Sequence, residues 1–262
     1  MGRFKGNGRK KKNLRTKKNC WQQDISKQER MGIALKAGGI TVVTAWLYYR
    51  SFVMTFLLLP VLLWHMRIME EEKAKKKEAE FQGQFKEAIQ AVSAALNTGY
   101  SVENSFREAQ KELLHLYPRD ARISKELQMI VRQLRIQIPM EQIMEEFSLR
   151  VQAEDVRNFV TVFVAAKKSG GNMIAIIQDT VRQIGDKIDV KREIDTILAA
   201  KRYEFRVMSM IPYGIIGYMS LSFPEFMDSL YGNVLGIGVM TVCLGIYLGA
   251  FYLGVKLIKI EV

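Results

Sequence analysis

The chain has 262 residues, 48% hydrophobic and 25% charged, with a formal net charge of +12. That is ample material for a folded core, and it excludes both a disordered chain and a disulfide-stapled miniprotein. The charge is unevenly placed: residues 1–36 hold 12 Lys/Arg against Asp24 and Glu29, a net of +10, whereas residues 67–207 hold 24 Lys/Arg against 22 Asp/Glu, a net of +2. The basic character therefore belongs to a tail, which argues against a compact nucleic-acid-binding domain.

In chain order, residues 1–30 read as a disordered basic tail, rich in Gly, Asn and Lys and nearly free of apolar side chains. An orientation signal is its simplest role; binding of anionic lipid headgroups is a second. Thirty polar residues precede the first apolar run, which excludes a secretory signal peptide. Ala37 to Met66 then contains a single charge, Arg50. One long span or two short ones would fit this stretch. Both flanks are rich in Lys/Arg, so both prefer the cytoplasmic side, and an even number of crossings satisfies both. Residues 31–68 are accordingly read as a transmembrane hairpin, Met31–Tyr49 and Ser51–Ile68, with Arg50 at its outer turn and Lys36 snorkelling inward.

Residues 69–206 show helical periodicity throughout and predict an antiparallel six-helix cytoplasmic bundle. The first helix carries Phe81, Phe85, Ala88, Ile89, Val92 and Leu96 on one stripe and ends at Gly99, with Ser101 capping the second. Phe106, Ala109 and Leu113 mark the second, and Ile123, Leu127, Ile130 and Leu134 the third. Pro139 opens a fourth with Ile143, Met144 and Phe147, and a fifth, Ala153 to Lys168, buries Val156, Phe159, Val160 and Phe163. Ser169-Gly170-Gly171 closes it, and Asn172 caps a long sixth helix with Ile176, Ile177, Val181, Ile184 and Ile188 that runs on toward the membrane.

From Val207 to Phe223 and from Tyr231 to Val255 no residue is charged; the second run is about 37 Å long as a helix at roughly 1.5 Å per residue. The acidic connector with Glu225 and Asp228 makes residues 207–255 a second hairpin, followed by a short cytoplasmic tail, 256–262, with Lys256 and Lys259. The expected protein is thus an all-α, multi-pass membrane protein of four spans, with both termini and the central domain in the cytoplasm. Gly245 and Gly249 stand at GxxxG spacing, which permits close helix packing, within the chain or between copies.

Chemistry is sparse. Lys167-Lys168-Ser169-Gly170-Gly171-Asn172 has the composition of a phosphate loop but places its lysines before its glycines, so it is read as a helix end and cap or as a partner-docking loop. Cys20 and Cys243 lie in different environments, and His65 and His115 lack a second ligand at helical spacing; no catalytic, cofactor or metal site is expected. Neither span pair carries a buried acid or Lys of the kind that marks an ion pathway.

Leu96-Asn97-Thr98-Gly99-Tyr100-Ser101-Val102, followed by Ala165-Ala166-Lys167-Lys168-Ser169-Gly170-Gly171-Asn172-Met173 opening a long helix into a terminal apolar hairpin, resembles the type II secretion F domain over roughly residues 80–255. This is the platform-protein family of type II secretion and type IV pilus systems. One copy of the domain, where many platforms carry two, points to the tight-adherence branch. The family often has Gly between its third and fourth helices; here the turn reads Arg135-Ile136-Gln137-Ile138-Pro139. The resemblance implies an inner-membrane platform, not an enzyme, that engages a cytoplasmic secretion ATPase, pairs with a second single-domain platform protein in a homo- or hetero-oligomer and lifts pilin subunits from the lipid bilayer. The competing reading is a membrane-anchored regulatory module with a helical partner-binding domain.

Overall fold

The computed structural model describes residues 20–50, 58–169, 173–231 and 233–258. It is all-helical among these residues. The helices are α1 (Cys20–Gln23), α2 (Lys27–Tyr49), α3 (Leu59–Asn97), α4 (Val102–Leu116), α5 (Arg122–Arg135), α6 (Met140–Val151), α7 (Glu154–Ser169), α8 (Met173–Ser222), α9 (Pro224–Tyr231) and α10 (Val234–Ile258). Two of them, α2 and α10, are each long and apolar enough to cross a membrane. The other two expected spans do not stand as separate helices. Leu59–Ile68 is the opening of α3, with Pro60 in its first turn, and Val207–Ser222 is the end of α8. Residues 51–57, part of the expected second span, lie outside the described residues.

Helices α3 to α8 share one hydrophobic core. Its centre is aromatic: Phe85 meets Phe159 edge-on at 5.8 Å, Phe159 meets Phe163 at 6.0 Å, and Phe163 meets Phe106 edge-on at 6.1 Å. Such contacts add to the burial of large rings, each of which contributes roughly 25 cal/mol per Å² removed from water. The helices alternate in direction because the connections are short. Lys86 pairs with Asp189 and Asn97 with Gln178, which sets α3 and α8 antiparallel. Tyr117 Oη donates to Glu87 at 2.7 Å, closing α4 back onto α3.

The turns are built as the residue types dictate. Gly99 takes φ 91°, and the Gly99 and Tyr100 amides donate to the Leu96 and Ala95 carbonyls, so a Schellman motif ends α3. The Ser101 hydroxyl accepts from the Asn104 amide at 3.4 Å and caps α4. Between α5 and α6 the left-handed residue that a glycine would supply is Gln137, at φ 60°. The shape of that turn is therefore kept without its glycine.

Part of the region read as a disordered tail, residues 1–30, is helical: α1 begins at Cys20 and α2 at Lys27. Trp21 is buried, its ring 5.2 Å from Phe81, and the Arg122 guanidinium lies 5.7 Å over its face. Arg122 also pairs with Asp24, and Cys20 Sγ donates to the Val151 carbonyl at 3.0 Å. Burial pushes the Cys20 thiol above its ordinary range. One aromatic side chain with a large apolar area is enough to dock a segment whose composition is otherwise that of a tail.

A second, smaller apolar cluster joins α2 and α10 through Ala45, Tyr48, Met240 and Leu244, with Tyr213 and Ile216 of α8 packed against it. Polar groups inside it are matched. The Tyr231 hydroxyl donates to the Leu47 carbonyl at 2.5 Å, and the Tyr247 hydroxyl donates to the Ser209 carbonyl at 3.0 Å. Arg50, in left-handed conformation at the end of α2, pairs with Asp228 of α9 at 2.5 Å.

Phe163 is fully buried between two rings, and Phe163→Ala should cost about 3–5 kcal/mol by transfer and cavity terms. Denaturant unfolding of the detergent-solubilised protein should show this as a midpoint shift, against little change for the exposed Leu149→Ala.

Candidate docking end and membrane-helix faces

Because α3 leads away from the apolar segments and α8 returns to them, the turns at Gly99 and Gln137 and the end of α7 gather at one end of the helical core, remote from those segments. Lys167, in the last turn of α7, reaches across this end to Glu141 Oε1 at 3.3 Å and Glu103 Oε1 at 3.9 Å. Both acids stand in first turns, of α6 and α4, where helix dipoles favour negative charge. A hydrogen bond to its own backbone amide and then the Lys167 ammonium hold the Glu141 carboxyl below its ordinary range. Lys167 is therefore a tie between three helices, and its charge is already matched.

Lys168 is exposed, as is Arg135 on α5. Tyr100 and Ile136 are exposed on the neighbouring turns. Gly99 serves its turn through φ, and Gly170, Gly171 and Asn172 lie outside the described residues. Gly99, Lys167 and Lys168 thus come to one end of the fold. Exposed aromatic and Arg side chains are of the kinds enriched in protein interfaces. The acids that hold Lys167 were not singled out by sequence reasoning. The signal was present, since Glu103 and Glu141 each fall in the first turn of a helix, but nothing in the linear order pairs them with a lysine.

At the opposite end the ion pairs are more buried. Glu126 is buried and accepts from Arg150 Nε at 3.0 Å, with Arg122 Nε at 3.4 Å. Buried Asp155 accepts from Lys187 Nζ at 2.9 Å and from Gln82 Nε2 at 3.2 Å, and the bond to Asp155 raises the Lys187 ammonium above its ordinary range. Each of these carboxylates is fully partnered, as a structural carboxylate in a core must be. Among the described residues, His, Cys, Asp and Glu nowhere gather in a set of three able to hold a metal ion. His65 stacks on Phe251 at 5.7 Å, and His115 is exposed in the last turn of α4.

The glycines of α10 divide into two groups. A Cβ at Gly245 or Gly249 would meet nothing within 4 Å, so neither packs against another helix of the chain. The close approaches are at Gly254, where a Cβ would strike the Phe205 ring, and at Gly236, where it would strike the Leu230 backbone. GxxxG spacing marks where a helix can be approached; which glycine is approached depends on the crossing point. Gly254→Val should overpack the α8–α10 contact by about 1–3 kcal/mol and lower the melting temperature in detergent, while Gly245→Val should leave it unchanged.

Comparison with known proteins completes the assignment. No curated protein and no solved structure gives a match. The family model described as "Type II secretion system (T2SS), protein F" matches residues 88–221, from the last part of α3 through almost the whole of α8 and just over half of the chain. Members are inner-membrane platform proteins of type II secretion and type IV pilus systems that interact with a secretion ATPase and other platform components. The chain belongs to the family of type II secretion system protein F.

Proposed function

We propose that this protein is the inner-membrane platform of a tight-adherence pilus system, coupling a cytoplasmic secretion ATPase to the extraction of pilin subunits from the membrane. The observation that carries the reading is α8. It is a single helix, Met173–Ser222, whose first part buries Ile177, Val181, Ile184 and Ile188 in the helical core and whose last part is the uncharged stretch from Val207. A displacement of the core is transmitted along such a rod as far as the apolar stretch, because Pro212, the proline within α8, lies beyond Val207. One copy of the domain supports pairing with a second single-domain platform protein. The end carrying Tyr100, Arg135, Ile136 and Lys168 is the surface proposed to meet the ATPase.

The proposed topology has four crossings, with both termini and the helical core in the cytoplasm. The charge distribution supports it: Lys and Arg are frequent in the residues flanking each apolar pair, whereas Glu225 and Asp228 stand between the last two with no Lys or Arg beside them. Pairing of Arg50 with Asp228 suits two outer turns that lie side by side. A reporter active only outside the cytoplasm should be active when fused after Ser229 and silent when fused after His115. Activity at the second position would overturn the orientation.

The coupling role is tested in cells that express the whole assembly. A flexible Gly-rich insertion after Asp189 should leave the secretion ATPase and the second platform protein in an affinity pull-down of the tagged protein, yet abolish filaments. Filaments at the unmodified level would refute transmission through α8. Absence of both partners from the wild-type pull-down would favour the regulatory module.

A further inference from the structure

Helices α5 and α6 run antiparallel and turn a shared outer face away from the core. Two hydrogen bonds set their relative height: Gln133 Nε2 donates to Glu146 Oε2 at 2.7 Å, and Arg150 Nε donates to Glu126 Oε2 at 3.0 Å. Met129 stands between Glu126 and Gln133 on α5, and Leu149 stands between Glu146 and Arg150 on α6, so the two lie at about one level. Each follows a bonded acid, Glu126 or Glu146, by three residues. That spacing turns it about 60° away from the groove between the helices, toward the outer rim. Met129 is 43% exposed and Leu149 74%, so each of the two helices offers solvent one large apolar side chain, flanked by exposed Lys125, Gln128 and Gln142.

Charge on this face is divided between the two helices. Arg132 follows Met129 by three residues and Glu145 precedes Leu149 by four, so both lie about one turn nearer the remote end, at the level of the Gln133–Glu146 bond. Inside the groove the cations are matched: Arg122 and Arg150 are held by Glu126, and Arg150 also by Glu146. Arg132 and Glu145 stand on the outer flanks of their helices, exposed, and among the described residues neither forms an ion pair. An unmatched cation on one helix and an unmatched acid at the same level on its neighbour make a surface complementary to itself under a twofold axis. Two copies inserted alike in one membrane are related by an axis along the membrane normal, the direction in which α3 and α8 carry the core on the proposed placement. Such an axis keeps every residue at its level and sets α5 of one copy against α6 of the other.

We infer that the α5–α6 face is where two copies of this chain pair, with Met129 against Leu149 of the partner subunit and Arg132 against Glu145 of the partner subunit, each contact made twice. The inference rests on the proposed membrane placement, which gives the copies a common orientation; it does not depend on what the remote end binds. Confinement to one membrane raises the effective concentration of the copies, so a face of modest area suffices.

The test uses the full chain in cell membranes, with Cys20 and Cys243 changed to serine and two differently tagged forms expressed together, one carrying M129C and the other L149C. Mild oxidation should join the two tags in a single disulfide-linked species. The pair T161C and L149C should not give it, Thr161 being exposed on α7. Charge reversal by R132E or by E145R in both forms should lower the yield roughly fivefold, because like charges then meet at two places. The combined R132E/E145R should restore it, which loss of fold cannot do. A yield no greater than that of the T161C control, or no rescue by the combined reversal, would overturn the pairing. Cross-linking of M129C to a different protein, with no adduct between the tagged forms, would assign the face to that protein and overturn it equally. A silent reporter after Ser229 would reject the membrane placement, whereas a missing adduct beside an active reporter rejects the face alone.

Discussion

The structure depends on the continuity of one helix. Over its fifty residues α8 passes from a segment with a single buried stripe, through a solvated charged segment, to an uncharged one, without interruption of its backbone. A helix can do this only if each stretch satisfies a different solvent while keeping the same hydrogen-bond ladder. Pro212 falls within the last stretch and removes one donor there, yet α8 continues past it. The core packed on its first turns cannot shift relative to the apolar stretch without moving the rod.

Everything else serves to hold the two ends of that rod. At the core, the Phe85–Phe159–Phe163–Phe106 chain fills the space among six helices, and Lys187 on Asp155 and Lys86 on Asp189 fix where α8 lies against α7 and α3. At the apolar end, Phe205 fits against Gly254, and Tyr247 bonds to the Ser209 carbonyl. Between these, α3 runs alongside as a second continuous helix from Leu59 to Asn97. Trp21 then straps the start of the chain to both α3 and α5, with Lys77 pairing Glu29 at 2.8 Å as α2 sets off. On the proposed reading the protein works as a lever held at both ends.

The division between solvents also explains where charge is matched and where it is not. Buried carboxylates at Glu126 and Asp155 are surrounded by donors because an unpaired charge in a core is very costly. Lys168 and Arg135 at the remote end are left exposed, where a partner of opposite charge can reach them. Lys167 shows the limit of reading charge by sequence position. It neighbours Lys168, yet one is consumed by Glu103 and Glu141 and the other is not.

The residues themselves dictated the local structure. The stripe from Phe81 to Leu96, Gly99 followed by Ser101, and the repeat from Val156 to Phe163 each define a helix, a turn or a buried face through nearest-neighbour sterics and a period of 3.6, which act within a few residues. The charge asymmetry was legible because it is a property of composition and needs no fold. What the linear order left open was decided by contacts across long separations: whether Trp21 belongs to a tail, whether Gly254 or Gly245 meets a ring, which acids hold Lys167. Those outcomes depend on where two helices cross and on which side chains the crossing removes from water. Local propensity carries no record of that; only the packed tertiary structure does.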